Sequence, residues 1–363
     1  MSGVIVHEWL EPHGGAEKVV EQFASIYPDA PIVSLWDDAP ERFTPGRVTE
    51  TWLAKTSLRR HKSLALPFMP ATWRQLGRSE ADWILCSSHL FAHHARFSGS
   101  ARHAEKFVYA YTPARYIWNP ELDERGTSLP VRAASVPLRA LDRRRAQEAT
   151  EIASISTFVQ QRVEAAWGRE SRVIYPPVEV DAFANPHTDL DENDAEILAS
   201  LPDTFLLGAS RFIPYKRLDL VIDMGVAADV PVVLAGSGPL EHELRGRAAQ
   251  VPGRVTFVDR PSLPLLAALY RKSIAFAFPA VEDFGIMPVE AMASGAAVIG
   301  SRLGGVAETV VDGKTGVLLD NYDRDSMRRA VSAAASLSRD DSVERAYAFD
   351  QSVFREQMKS WIP

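Results

Sequence analysis

Two carboxylates, Glu282 and Glu290, stand with seven residues between them around a Phe284-Gly285 turn, in the stretch FPAVEDFGIMPVEAMASG from Phe278 to Gly295. An apolar strand, Ile274 to Phe278, leads into the turn, and a helix-forming run from Pro288 to Ser294 follows it. Strand, tight turn and helix start place free backbone N–H groups and a partial positive charge where a phosphate can sit. Glu290, expected in the first helical turn, can accept hydroxyl donors close to that phosphate. Glu282, on the incoming loop, addresses whatever lies on the other side. Ribose hydroxyls, diphosphate and hexose follow one another in that order in a sugar nucleotide.

Cations of the right kind precede this motif. In Gly208 to Arg217, GASRFIPYKR, the cations Arg211 and Lys216 lie five residues apart just off a strand end. Together they can hold a diphosphate and offset the charge that grows on a departing phosphate. A solvated basic loop is the plainer reading of the pair in isolation. The glutamate motif two strand–helix units later, at the same strand ends, favours the diphosphate. Glycine turns recur. Gly14 and Gly15, in PHGGAE after the first strand, let a backbone approach a phosphate closely or make an ordinary strand–helix turn. The G-x-G-x-x-G pattern is missing there, which argues against a nicotinamide cofactor. Gly236-Ser237-Gly238 and Gly304-Gly305 read first as helix-entry turns.

No metal is expected. Asp323-Arg324-Asp325 lies in a late polar segment and reads as a helix cap. His93-His94, beside His89, carries no neighbouring carboxylate or cysteine in sequence, and adjacent side chains project in different directions.

The elements that position these residues alternate short apolar runs with helical stretches. Strands are expected at Gly3–Val6, Pro31–Leu35, Asp82–Cys86, Lys106–Ala110, Glu151–Ser156 and Arg172–Tyr175, then at Thr204–Gly208, Pro231–Ala235, Arg254–Val258, Ser273–Phe278 and Ala296–Gly300. Helices are expected at Ala16–Ile26, Arg217–Val226, Leu240–Gln250, Leu263–Lys272 and Pro288–Ser294. Short apolar runs between helices argue for parallel sheets covered on both faces. Pro176-Pro177 and the acidic segment Asp181 to Asp203 read as an inter-domain linker. The fold class is therefore α/β, with two Rossmann-like, doubly wound parallel-sheet domains and ligands at the carboxyl ends of their strands.

Composition agrees. The chain has 363 residues, 46% hydrophobic, which suits two domains better than one core. A net charge of -7 gives no bulk affinity for nucleic acid. The single cysteine, Cys86, excludes an internal disulfide framework and suits a reducing compartment. With no long apolar run, a cytoplasmic location is the expectation.

The elements GGAEKV, SRFIPYKRLD, VEDFGIMPVEAMASG and GGVAETVVDGKTGVLL, in this order, resemble a retaining glycosyltransferase of family 4 with the GT-B fold. The resemblance runs over nearly the whole chain, with the Glu-x7-Glu element its most specific part. It implies an N-terminal acceptor-binding domain over 1–178, a nucleotide-sugar-binding domain over 179–345, and a terminal helix over 346–363 that returns to the first domain. It further implies transfer of a hexose from a nucleoside diphosphate sugar, with retention and without metal or other cofactor. Glu282 would contact the donor sugar, Glu290 the ribose, and Arg211 and Lys216 the diphosphate. Gly15 would approach the diphosphate from the other domain, and the backbone of Phe284, Gly285, Ile286 and Met287 would line phosphate and sugar. GDP-mannose is the expected donor, from likeness to an O-antigen or exopolysaccharide mannosyltransferase subgroup.

One departure stands out. The segment YAYTPARYIW resembles the subgroup's HTPxRYxW signature, but Tyr111 replaces its histidine. A phenol can hydrogen-bond a sugar hydroxyl yet is a poor base at neutral pH. Tyr111, Arg115 and the nearby His89 are the candidate acceptor-side residues. The segment Lys55 to Arg78 has six cations and no acid, interleaved with Leu58, Leu64, Leu66, Phe68, Met69 and Trp73. It reads equally as a peripheral contact to an anionic membrane carrying a lipid-linked acceptor, or as an acceptor-side loop with solvated arginines. Two other readings of the whole chain remain: a nucleotide-sugar epimerase, and a non-catalytic nucleotide-sugar-binding protein on the same scaffold.

Overall fold

The computed structural model describes residues 1–12, 14–118, 129–185 and 189–363. They form two compact units, one of residues 1–177 with 354–363, the other of residues 178–353.

In the first unit seven parallel strands are β1 Gly3–His7, β2 Ile32–Ser34, β3 Val48–Glu50, β4 Trp83–Ser88, β5 Glu105–Ala110, β6 Glu151–Ser154 and β7 Arg172–Val173. Their order is β3-β2-β1-β4-β5-β6-β7. β1 and β4 are buried along their whole length, as strands covered on both faces must be. The helix Gly15–Ile26 turns Val19, Val20, Phe23 and Ala24 inward, the i, i+3, i+4 spacing of one helical face. The terminal helix Gln351–Trp361 sends Phe354 onto Phe23 and Tyr109, and Trp361 onto Phe107. Trp361 Nε1 also donates to Glu151 at 2.9 Å.

In the second unit six parallel strands are β8 Leu206–Ala209, β9 Val232–Ala235, β10 Val255–Val258, β11 Ala275–Phe278, β12 Val298–Ser301 and β13 Gly316–Leu319, in the order β10-β9-β8-β11-β12-β13. A core of Leu206, Val221, Ile222, Leu234, Ala277, Ile299 and Val331 packs helices against this sheet. Side-chain caps set the helix starts: Ser262 accepts from Leu265 N at 3.1 Å, and Asp323 from Ser326 N at 2.9 Å, the capping role expected for Asp323.

Both sheets are thus doubly wound, as expected. In each, the winding reverses between the first strand and the fourth, so the crevice that binds ligands in such sheets opens beyond β1 and β4, and beyond β8 and β11. Some sequence expectations differ from the structure. The supposed linker 181–203 contains the helices Val180–Ala184 and Glu192–Ser200 of the second unit. Val180 and Phe183 are buried, and Asp194, only 7% exposed, accepts from Ser262 Oγ, so the acidic stretch is folded against its neighbours. Strands β3 and β13 were not anticipated.

Candidate functional site

In the second unit, β8 and β11 release the two loops that carry the predicted charges. Arg211 and Lys216 follow β8; Glu282 follows β11. Arg211 is exposed and makes no ion pair among the described residues. Lys216 is 9% exposed, lies over the Phe278 ring at 5.1 Å, and is ion-paired with Glu282. The two loops therefore meet through opposite charges at the reversal point of the sheet. Glycine shapes this end. Gly236 and Gly238 adopt φ of 131° and 156°, and a Cβ there would lie 1.9 Å from Ser210 O and 2.7 Å from Phe212 N and O. They press against the loop that bears Arg211, a supporting role in line with the helix-entry reading. Gly305 N donates to Glu282 O at 2.8 Å and holds the other loop.

Gly285, at φ 92°, precedes the helix Ile286–Ala293, a left-handed position that glycine fills without strain. The helix begins two residues earlier than expected. Glu290 therefore sits in its second turn, not its first, and is half-buried, with its charge close enough to Tyr270 to raise that phenol further after burial has raised it. Gly285, Ile286 and Met287 provide the first amides of this helix, which have no acceptors within it. Phe284 is buried and meets the Phe349 ring edge to face, with centroids 5.7 Å apart.

In the first unit, the carboxyl ends of β1, β4 and β5 gather polar groups that sequence reasoning reached only in part. His89 and Tyr111 were anticipated; Glu8 and His7 were not. Glu8 is fully buried, and its Oε1 accepts from the amides of His89, Leu90 and Ala92 at 3.2, 2.9 and 2.9 Å. Its Oε2 lies 3.2 Å from His89 Nδ1. Burial would raise the Glu8 carboxyl, but the fields of His89 and His7 and the amide donors outweigh it and lower the pKa. His7 is lowered to about 4, chiefly by burial, and shares a 3.0 Å hydrogen bond with Ser87 Oγ. Ser87 in turn lies 3.0 Å from the Tyr111 hydroxyl, which donates to Ala16 O at 3.2 Å, next to Gly15 at the head of the helix Gly15–Ile26. Burial pushes the Tyr111 hydroxyl well above its ordinary range, so it is even less of a base than a free phenol. Arg115 heads the short helix Arg115–Trp118. His13, beside Gly14, lies outside the described residues.

Behind this cluster, His93 and His94 do converge, contrary to expectation, because a carboxylate from a distant helix meets both. Asp142 Oδ1 lies 3.1 Å from His93 Nε2 and 3.0 Å from His94 Nε2. Its Oδ2 accepts from the indoles of Trp118 and Trp167 at 2.8 and 2.7 Å. These three ligand-type residues are close enough to hold an ion, yet Asp142 already has His94 hydrogen-bonded to Oδ1 and two indoles to Oδ2. Burial opposes its charge, but the fields and hydrogen bonds of His93 and His94 dominate and depress its pKa. Trp118 is the tryptophan of the HTPxRYxW-like segment, and this bond explains its presence there.

The basic segment 55–78 is less basic in three dimensions than in sequence. Arg59 pairs with Asp38 and Glu50, Lys62 with Glu11, Arg74 with Glu148 and Arg78 with Glu80. Lys55 and Arg60 make no ion pair among the described residues. Trp52, Leu64 and Phe68 are 48%, 60% and 46% exposed, whereas Met69 and Trp73 are core. Among the described residues, no helix is long and apolar enough to cross a membrane.

Residues 189–349 match the family model of glycosyl transferases group 1. A GDP-mannose-dependent alpha-(1-6)-phosphatidylinositol monomannoside mannosyltransferase of Mycolicibacterium smegmatis is 29% identical over 52% of this chain and 54% of its own length. The D-rhamnosyltransferase WbpZ of Pseudomonas aeruginosa is 32% identical over 49% and 48%. The chain spans about half the length of these curated relatives. A crystal structure of Anabaena HepE in complex with UDP superposes with a TM-score of 0.73 at 19% identity, covering 99% of both chains. WaaG, a glycosyltransferase involved in lipopolysaccharide biosynthesis, gives 0.68 at 12% identity, covering 100% and 99%. In sequence over 189–349, and in fold over the full chain, the protein is similar to glycosyltransferases of the GT-B fold.

Proposed function

We propose that the protein is a retaining, metal-independent glycosyltransferase that moves a hexose from a nucleoside diphosphate sugar to a glycan or lipid-linked acceptor, in the assembly of cell-surface polysaccharide or glycolipid. One observation carries the reading: at the reversal point of the second sheet, the Arg211–Lys216 loop, the Glu282 loop and the amides at the start of Ile286–Ala293 come to one end of β8 and β11. An ammonium has three protons, so Lys216 can keep Glu282 and donate to a phosphate oxygen at once. Sugar hydroxyls then meet Glu282 while Arg211 and Lys216 stabilise the diphosphate as the C1–O bond breaks. The acceptor oxygen bonds C1 on the same face, and its proton passes to the leaving phosphate. Glu290 holds the ribose. Tyr111, its one proton committed to Ala16 O, accepts from a sugar hydroxyl, and His89, fixed by Glu8, lies on the acceptor side with Arg115. Gly15, at the head of the helix Gly15–Ile26, is a further donor-side candidate carried over from the family resemblance. GDP-mannose is the donor we favour, supported by the GDP-mannose-dependent mycobacterial relative.

The reading is tested by melting the protein with GDP, UDP, ADP and dTDP. At a hundredfold excess over Kd, binding to the native state adds about 2.7 kcal/mol, roughly 5–11 °C for the second unit. GDP should give the largest shift, and no shift with any of the four sinks the proposal. Donor alone should then hydrolyse slowly, and faster turnover with acceptor separates a transferase from an epimerase or a binding protein.

We further propose that Trp52, Leu64 and Phe68, beside Lys55 and Arg60, rest on an anionic membrane where the acceptor resides. Leu64→Asp combined with Phe68→Asp should lower co-sedimentation with phosphatidylglycerol vesicles at least fivefold and leave the nucleotide shift intact. Equal sedimentation of the variant rejects this contact.

A further inference from the structure

Two adjoining cavities open at the amino ends of β4 and β5, the opposite end of the first sheet from Glu8 and His89. One, of about 470 Å³, is lined by Arg74, Arg96, Ser98 and Arg102 among others. The second, of about 290 Å³, shares the three arginines and adds Ile84, Lys106 and Glu148. From Ile84 to His89 the chain advances five residues, about 16 Å along a strand, so these cavities are remote from the polar strand ends.

Charge there is out of balance. Glu148 is the one carboxylate lining either cavity. It accepts from Arg74 at 2.5 Å, Arg145 at 2.8 Å and Lys106 at 3.2 Å, and although burial would raise it, these partners hold its pKa down at about 2. Arg96 and Arg102 are exposed and make no ion pair among the described residues. Four lining cations therefore face a single carboxylate already shared three ways. Two of the cations are fixed in place by the backbone: Arg74 donates to His94 O at 3.1 Å and Lys106 to His93 O at 3.3 Å. Cations held before a ligand arrives lose little freedom on binding it. Guanidinium forks match the oxygen geometry of phosphate.

We propose that Arg74, Arg96, Arg102 and Lys106 form a second anion site, for a phosphate-bearing ligand, independent of the nucleotide-sugar reading of the second unit. The phosphate belongs either to a small soluble metabolite or to a phospholipid headgroup. Both sources are tested on the full chain with Arg211→Ala and Lys216→Ala in place, which removes the diphosphate-binding cations of the other unit. Calorimetry with inorganic pyrophosphate should show one remaining equivalent bound. Adding Arg96→Ala and Arg102→Ala, at exposed positions without ion pairs, should weaken it at least tenfold without changing the melting temperature. If pyrophosphate is silent but phosphatidic acid vesicles retain the protein, and lose it with the two arginines, the site is a headgroup site. No binding of either probe, or binding unchanged by the arginine replacements, overturns the proposal and leaves the donor site untouched.

Discussion

Replacing Lys216 by alanine is expected to lower kcat/KM by about 10²–10³, or roughly 2.7–4 kcal/mol of transition-state stabilisation, in a protein that still folds. The side chain lies at the reversal point of the second sheet, 9% exposed, beside an aromatic ring and a carboxylate. In that sheltered position its charge is worth more to a departing phosphate than it would be in water. The ion pair with Glu282 adds a signature that simple charge loss lacks. Glu282→Gln alone should also reduce activity, and the double variant should fall well short of the sum, because the two residues act through one contact. Steady-state kinetics on the four proteins of the cycle decide it. A loss below about threefold for a well-folded Lys216→Ala would remove the residue from the mechanism.

The second large effect is structural. Glu8→Ala deletes a fully buried carboxylate that satisfies three amides of the turn after β4 and faces His89. Stranding those donors should destabilise the first unit by about 3–5 kcal/mol, lowering its melting transition by roughly 6–20 °C. Glu8→Gln keeps the shape and one acceptor oxygen, and should cost less than half as much. The pH dependence has a definite sign. The folded carboxyl titrates below its ordinary value of 4.5, so the stabilisation is complete above that pH and fades as acid approaches the folded value. The Gln variant should lack this component. Calorimetric scans from pH 7 to 3.5 test both statements, and a shift under 2 °C for Glu8→Ala would rule out the capping role. Catalysis offers a separate readout: if Glu8 orients His89, Glu8→Gln lowers kcat more than it raises KM.

Most of the fold was legible because buried parallel strands write themselves as short apolar runs. β3 escaped because Val48-Thr49-Glu50 lies half-exposed at a sheet edge, where no apolar run is needed. β13 escaped because a glycine and three aliphatic residues, Gly316 to Leu319, do not stand out from the motif around them. At the candidate site, positions set by the strand ends were readable: Arg211, Lys216 and Glu282 follow β8 and β11, which the pattern had already located. Glu8 and Asp142 were not, since their partners come from 81 and 48 residues away in sequence. A carboxylate directly after the apolar strand Gly3–His7 was the one available hint of Glu8. For the same reason the basic segment looked unneutralised: Glu11, Asp38, Glu50 and Glu148 lie outside it.

Asp142 has a consequence for how this chain can vary. Its two oxygens tie together the turn at His93-His94, Trp118, and Trp167 at the end of the helix Thr157–Trp167. Remove any one donor and the acceptor survives; remove the acceptor and three donors, from His94, Trp118 and Trp167, lose their partner in a dry interior. Drift at these five positions is therefore lopsided: the histidines and tryptophans can change one at a time, while the aspartate can go only after its ring-bearing neighbours have already been exchanged for apolar ones.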